Sequence, residues 1–277
     1  MQIVMFSKML GDYPIKKAGQ VIKSLGFDGV DLTVRTGGHV LPEEVGRKLP
    51  EAVRILGDLG LTVPMITTGI AAPADPCAEE IFRVAAACGI VRLKLGYWRY
   101  DGFGHLRRQI EEVRGYLDGI EALAKRHGVW AGIHNHSGEF VSALPTVVAS
   151  LLEGRDPDAI GAYFDPGHAT AEGGVSGWKM GLDLLAGRVR LVAVKSFGWL
   201  SEKTPAGEVR WRATLVPLAE GTVRWAEVFA LLRRAGFDGV VSVHSEYQGP
   251  HSWRDLDTEH LIEQTRQDLA HLRSAMS

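Results

Sequence analysis

The chain has 277 residues, 45% hydrophobic and 23% charged, enough apolar content to bury a large core and too much for a disordered chain. Its 31 Lys and Arg against 33 Asp and Glu give a formal charge of -2, so no global basic field attracts nucleic acid or an anionic membrane surface. No apolar run approaches the roughly 18 residues that span a bilayer, the first residues lack a basic leader region, and Cys77 and Cys88 are the only cysteines, so a cytoplasmic protein is expected.

Strand and helix patterns then alternate along the chain. Ile3 to Phe6 reads as a first strand, and Ile15 to Leu25 carries apolar residues at helical spacing before Gly26 stops the helix. Gly29 to Thr33 predicts a second strand, Glu43 to Leu59 a helix, and Leu61 to Ile66 a third strand. A helix over Pro76 to Cys88 would put the two cysteines about 16 Å apart, too far for a disulfide. Ile90 to Leu95 follows as strand four, then a long helix from Leu106 to His127 and a fifth strand from Trp130 through His136. A helix near Pro145 to Leu152 precedes strand six, Ile160 to Asp165, and one over Gly177 to Leu185 precedes strand seven, Leu191 to Lys195. A loop is expected from Ser196 to Glu220, then a helix over Trp225 to Ala235, strand eight from Val240 to Glu246, and a closing helix over Thr258 to Met276.

Eight strands separated by helices, without a composition shift or a Gly/Ser linker, predict an α/β fold, a single (β/α)8 TIM barrel forming one domain over residues 1–277. The competing open doubly wound sheet is disfavoured because no glycine-rich phosphate loop follows any strand. The segment Gly26-Phe27-Asp28-Gly29-Val30 recurs as Gly236-Phe237-Asp238-Gly239-Val240, each joining a helix end to a strand.

A TIM barrel places its chemistry at the C-terminal strand ends, and side chains two apart on a strand share a face. On strand five His134 pairs with His136, on six Tyr163 with Asp165, on seven Ala193 with Lys195, on eight His244 with Glu246, and on four Arg92 with Lys94. If those faces all point inward, two histidines, Asp165, Lys94, Lys195, His244 and Glu246 converge on one pocket. Pro166-Gly167 is expected to turn the chain as soon as Asp165 has been presented. Imidazole nitrogens and carboxylates together suit a divalent ion such as Mn, Zn, Co or Mg, which would polarise a carbonyl while a neighbouring carboxylate moves a proton beside it. Trp98, Trp199, Trp211 and Phe197 offer flat apolar faces to a sugar.

The run Asp165-Pro166-Gly167-His168, the run His134-Asn135-His136, Lys195 after an apolar strand, and Val216 to Val223 before a helix resemble the sugar phosphate isomerase/epimerase family. This is the xylose isomerase-like TIM-barrel superfamily, which also contains inosose dehydratases, hydroxypyruvate isomerases and endonuclease IV-type repair enzymes. The resemblance spans nearly the whole chain. It implies a divalent metal held by an acidic residue ending strand five, an Asp ending strand six, a His on strand seven and a Glu on strand eight. His134, Asp165 and Glu246 occupy three of those positions, while Ala193 stands where the strand-seven His would be and Ser196 where an Asp would follow the lysine. An ion held weakly or not at all is therefore expected, with Lys195 and Lys94 as alternative sources of positive charge. Strand parity and the resemblance together give Glu246, Lys195 and His134 as the expected catalytic residues, and His168, His136, Lys94, His244 and Trp199 as the expected substrate contacts. The expected activity is isomerisation or epimerisation of a small sugar, sugar acid or sugar phosphate. A keto-polyol dehydratase and a non-catalytic sugar-binding barrel remain the alternatives. A nuclease is disfavoured by the neutral charge, and a small carbohydrate, with neither nucleic acid nor membrane, is the expected partner of a chain that could pair as a homodimer.

Overall fold

Short strands that are apolar on both faces can be stable only in a parallel sheet covered on both sides, and the strands here are of that kind. In the computed structural model, which describes all residues 1–277, β1 (Gln2–Phe6), β2 (Gly29–Val34), β3 (Thr62–Thr68), β4 (Arg92–Lys94), β5 (Trp130–His134), β6 (Ile160–Phe164) and β7 (Val189–Val194) alternate with helices. The helices between them are α1 (Ile15–Leu25), α2 (Val45–Asp58), α3 (Ala78–Ala87), α4 (Leu106–His127), α5 (Pro145–Leu152) and α6 (Pro166–Leu185). A hairpin, β8 (Ser196–Lys203) and β9 (Val209–Val216), then precedes α7 (Trp225–Arg234), β10 (Val240–Val243) and α8 (Thr258–Met276). The barrel closes in the order β1-β10-β7-β6-β5-β4-β3-β2, with Ile3 beside Val241 on one side of β1 and Met5 beside Val30 on the other, so no edge is left open. This is the (β/α)8 barrel that the alternation predicts. No helix is long and apolar enough to cross a membrane.

Two apolar layers hold the fold. The larger lies between strands and helices and includes the fully buried Leu32, Leu49 and Leu56. The smaller fills the barrel interior with Val4, Met65, Trp130, Tyr163, Leu191, Ala193 and Val240. Each large aliphatic side chain removed from water contributes about 1.5–3 kcal/mol.

The repeated Gly-Phe-Asp-Gly-Val segment is one structural device used twice. Gly26 and Gly236 end their helices with φ of 91° and 74°, where only glycine is unstrained. Phe27 and Phe237 then turn into the core, and a Cβ at Gly29 or Gly239 would overlap the backbone of the neighbouring strand, at Thr62 and Arg190 respectively. Asp28 accepts the Ile3 N–H at 2.8 Å, and Asp238 pairs with the N-terminal amine at 2.5 Å, so both segments tie to β1.

Three local expectations are corrected. Pro166-Gly167 does not make a turn but opens α6, because proline is favoured in the first helical turn and Asp165 caps the helix by accepting the His168 N–H at 2.9 Å; the helix kinks at Gly174 rather than starting at Gly177. Ser196 to Val216 is not a loop but the β8–β9 hairpin, running in register from Ser196 opposite Val216 to Lys203 opposite Val209. Cys77 and Cys88 flank α3 instead of lying within it, and both are free thiols.

Gly115 sits exposed in the middle of α4 with open space where a Cβ would go, so Gly115→Ala should raise stability by about 0.5–1 kcal/mol in urea unfolding. Gly239→Ala should lower it by about 2 kcal/mol or more, because the strand behind cannot move without opening the barrel.

Candidate active site

The C-terminal ends of β5, β6, β7 and β10 bring four short segments together. His134 is the last residue of β5; its Nε2 lies 3.1 Å from Asp165 Oδ2, its Nδ1 2.7 Å from the Tyr97 hydroxyl, and its ring stacks on Tyr163 with centroids 4.7 Å apart. Asp165 is fixed from behind by Asn135, whose amide donates to the Asp165 carbonyl at 2.9 Å and whose side-chain oxygen accepts the Asp165 N–H at 2.8 Å. With Oδ1 occupied by the helix cap, Oδ2 is the oxygen that faces His134 and Lys195.

Lys195 stands between β7 and β8 with 2% side-chain exposure, its ammonium 3.4 Å from Asp165 Oδ2 and 3.0 Å from Glu246 Oε2. Glu246 lies just past β10, set by a tight turn in which its N–H donates to the His244 carbonyl at 2.9 Å, and its second oxygen takes Lys8 at 2.5 Å. His244 stacks on Phe6 with centroids 4.4 Å apart, and its Nε2 lies 2.8 Å from the Tyr163 hydroxyl. Beneath this pair the buried Asp31 accepts the Thr67 and Ser242 hydroxyls, each at 2.8 Å. His136 bonds the Ser137 carbonyl through Nδ1 at 2.9 Å and packs its ring 3.9 Å from that of His168.

Burial and charge set the protonation states. Burial alone would raise the Glu246 carboxyl, but Lys195 and Lys8 draw it well below the usual carboxylate range; burial would lower the Lys195 amine, but Glu246 and Asp165 hold it above the usual lysine value. The imidazoles go the other way. Burial first, then the Lys195 charge, pushes His134 and His168 well below the usual histidine value and His136 down to about 4, while burial also lowers His244. The site therefore presents neutral imidazoles around one buried ion-pair cluster at neutral pH. Asp31 is raised by burial.

His134, Asp165 and His168 offer ligand atoms that all lie within 4.8 Å of one another. The His168 Nε2 is buried without a hydrogen-bond partner while its Nδ1 is tied to the Ser137 hydroxyl at 2.7 Å. An unused imidazole nitrogen beside a second imidazole and a carboxylate fits a divalent transition ion. Glu246, expected among the ligands, is not in that group: the Lys195 ammonium bridges it to Asp165 instead.

Two adjoining chambers open from this cluster. The inner one, about 140 Å³, reaches Lys94, Tyr97, Arg35 and His244; the outer one, about 330 Å³, reaches Ser137, His168, Phe197 and His251. Lys8, His136, Lys195 and Glu246 line both and so stand at the boundary between them. Trp199 lines neither, contrary to expectation; it is 47% exposed on β8, and Trp211, opposite Ser201 on β9, is 65% exposed. Trp98 is buried with its indole N–H on the Ala71 carbonyl, and of the four flat residues only Phe197 reaches a chamber. Lys8, Arg35, Tyr97 and the Asn135 clamp were missed by sequence reasoning. Lys8, Arg35 and Tyr97 each stand shortly after β1, β2 or β4, where the strand-end rule also points.

The sequence profile of the xylose isomerase-like TIM barrel family matches residues 20–275. No curated protein matches the chain by sequence. Among solved structures, 3-keto-D-glucoside 4-epimerase YcjR from E. coli superposes with a TM-score of 0.72 at 16% identity, covering 99% of each chain. D-psicose 3-epimerase from Clostridium cellulolyticum H10, solved with D-tagatose, gives 0.68 at 15% identity over 100% of both chains. The IolI protein with a bound zinc atom gives 0.74 at 14% identity, covering 100% of this chain and 99% of that one. At such identities the likeness is one of fold.

Because Lys195 competes for the same Asp165 oxygen, purified protein should retain less than one equivalent of divalent metal after chelator dialysis, as measured by elemental analysis. The depressed imidazoles predict a second outcome. A histidine whose folded pKa lies below its unfolded value of about 6.5 costs stability once the unfolded chain can take the proton, so stability should fall as pH drops from about 6.5 toward 4, and urea midpoints at pH 7 and pH 5 measure the loss.

Proposed function

The chain belongs to the xylose isomerase-like TIM barrel family, and we propose that it is an isomerase or epimerase of a small carbohydrate, moving a proton on a carbon next to a carbonyl. The observation that carries this reading is the boundary between the chambers, where a buried ammonium and an ionised carboxylate lie 3.0 Å apart beside neutral imidazoles. Abstraction of a carbon-bound proton needs a base that is already deprotonated and a positive charge at the carbonyl oxygen, where the electrons go. Glu246 supplies the base. Lys195 donates a hydrogen bond to the oxygen as negative charge develops there, and Asp165 keeps that lysine protonated and aimed. The enediolate then collapses with the proton returned by the protonated Glu246 to the neighbouring carbon, or with a proton delivered from water to the opposite face of the same carbon while Glu246 gives up its own to the resulting hydroxide. A divalent ion held by His134, Asp165 and His168 would supply Lewis-acid polarisation of the carbonyl when bound.

The charge on Lys195 also explains why Glu246 is a mild base: its pairing with Lys195 and Lys8 lowers its proton affinity, and a substrate oxygen that takes over the ammonium's hydrogen bond restores it. The family neighbours that are epimerases support the class of chemistry without naming the substrate.

Glu246→Gln should cut turnover by about 10² or more while costing about 1–3 kcal/mol of stability for the lost ion pairs, and His244→Gln should do much less to turnover. Lys195→Ala should abolish turnover in a folded protein. Deuterium uptake from heavy water into any sugar of a broad panel that binds scores all three variants; uptake that survives Glu246→Gln and stops in a His244 variant would reverse the assignment of the base. A product lighter by one water would mark a lyase instead.

A further inference from the structure

The inner chamber carries more positive charge than its acids account for. Lys8, Arg35, Lys94 and Lys195 line it, and Glu246 is the one carboxylate among its lining residues. Lys8 and Lys195 are accounted for by Glu246, with Asp165 behind. Arg35 and Lys94 are not. Lys94 has 2% exposure, and its ammonium makes neither an ion pair nor a hydrogen bond; it sits 3.4 Å from the centre of the Tyr97 ring. Arg35, half-buried, has its guanidinium 5.8 Å from the Phe6 ring centre and no carboxylate partner. The nearby Asp31 is occupied by the Thr67 and Ser242 hydroxyls.

A buried cation without an anion, beside a second cation, costs free energy unless something charged completes the site. Resting on the reading above that the substrate is a carbonyl compound, we propose that Lys94 and Arg35 seat a substrate oxyanion, so that the carbohydrate handled here is acidic and carries a carboxylate or a phosphate ester. With about 140 Å³ of free space the chamber admits such a charged head group. Lys195 and Glu246 line the same chamber, so the carbons that follow a head group seated at Lys94 and Arg35 come within reach of both. The Lys94 amine is itself driven well below the usual lysine value by burial and then by Arg35, a penalty that a seated anion removes.

The test is calorimetric titration of the intact protein at fixed ionic strength with glycolate, with inorganic phosphate, and with neutral glycolamide. One or both anions should bind saturably at one site per chain and glycolamide should not; which anion binds tells carboxylate from phosphate ester. Lys94→Met should weaken that binding by tenfold or more, and it should melt at or above the wild-type temperature because a buried amine without a hydrogen-bond or ion-pair partner has been removed. Arg35→Gln should weaken the same binding and serves as the second variant if Lys94→Met does not fold. Absence of binding by either anion, or binding unchanged by both substitutions, overturns the proposal. Deuterium exchange separates it from the isomerase reading: exchange into neutral sugars with no anion bound sinks the oxyanion seat alone, whereas anion binding at Lys94 with no exchange into any acidic sugar sinks the isomerase reading alone.

Discussion

A lysine ammonium closed off from water between two carboxylates is the interaction on which the rest of the site depends. A buried charge is tolerated only when its partners are well placed, and removing one partner of such a group costs about 3–5 kcal/mol because the survivor is left uncompensated. Lys195 has Asp165 on one side and Glu246 on the other, and Glu246 is in turn steadied from the rim by Lys8. This one cluster sets the state of everything around it. It keeps the carboxylate ionised, keeps the ammonium charged, and contributes with burial to keeping the nearby histidines neutral.

The fold makes such a cluster affordable by fixing its members through the backbone. Asp165 is held at both its N–H and its C=O by the Asn135 side chain and at one oxygen by the start of α6, so only its other oxygen is free to act. Glu246 is set by a turn that follows β10 directly, and Lys195 leaves β7 where the hairpin begins. None of these three side chains relies on a long flexible loop for its position. That is the arrangement in which electrostatic stabilisation of a developing charge is strong, because little has to reorganise when the charge appears.

Much of this was legible in the sequence, and the reason is periodicity. Alternating apolar strands and amphipathic helices define a barrel whatever the substrate, and the two-residue repeat of a strand brings His134, Asp165, Lys195, His244 and Glu246 to one end. What periodicity cannot supply is pairing. That Lys195 joins Asp165 to Glu246, and that His168 rather than Glu246 completes the ligand group, depends on distances across the barrel mouth. Trp199 failed for a different reason: an alternation of Trp199, Ser201 and Lys203 with Trp211 beyond it fits a hairpin as well as a lid, and only the in-register pairing with β9 shows its side chain turned to solvent. Asn135, between His134 and His136, takes the opposite face by the same two-residue repeat, and what the repeat does not show is that its side chain there clamps the backbone of Asp165.

Ala193 carries a consequence for which side chains the barrel interior can accept. Where family resemblance implies a histidine, the alanine is fully buried inside the barrel in the same apolar cluster as Tyr163, whose ring stacks on His134 and whose hydroxyl reaches His244. A histidine introduced there would have to displace well-packed neighbours, a cost of the order of 1–3 kcal/mol, before any ion could repay it. A fourth ligand at position 193 therefore has no room inside the barrel unless the apolar side chains packed there, Tyr163 and Leu191 among them, rearrange.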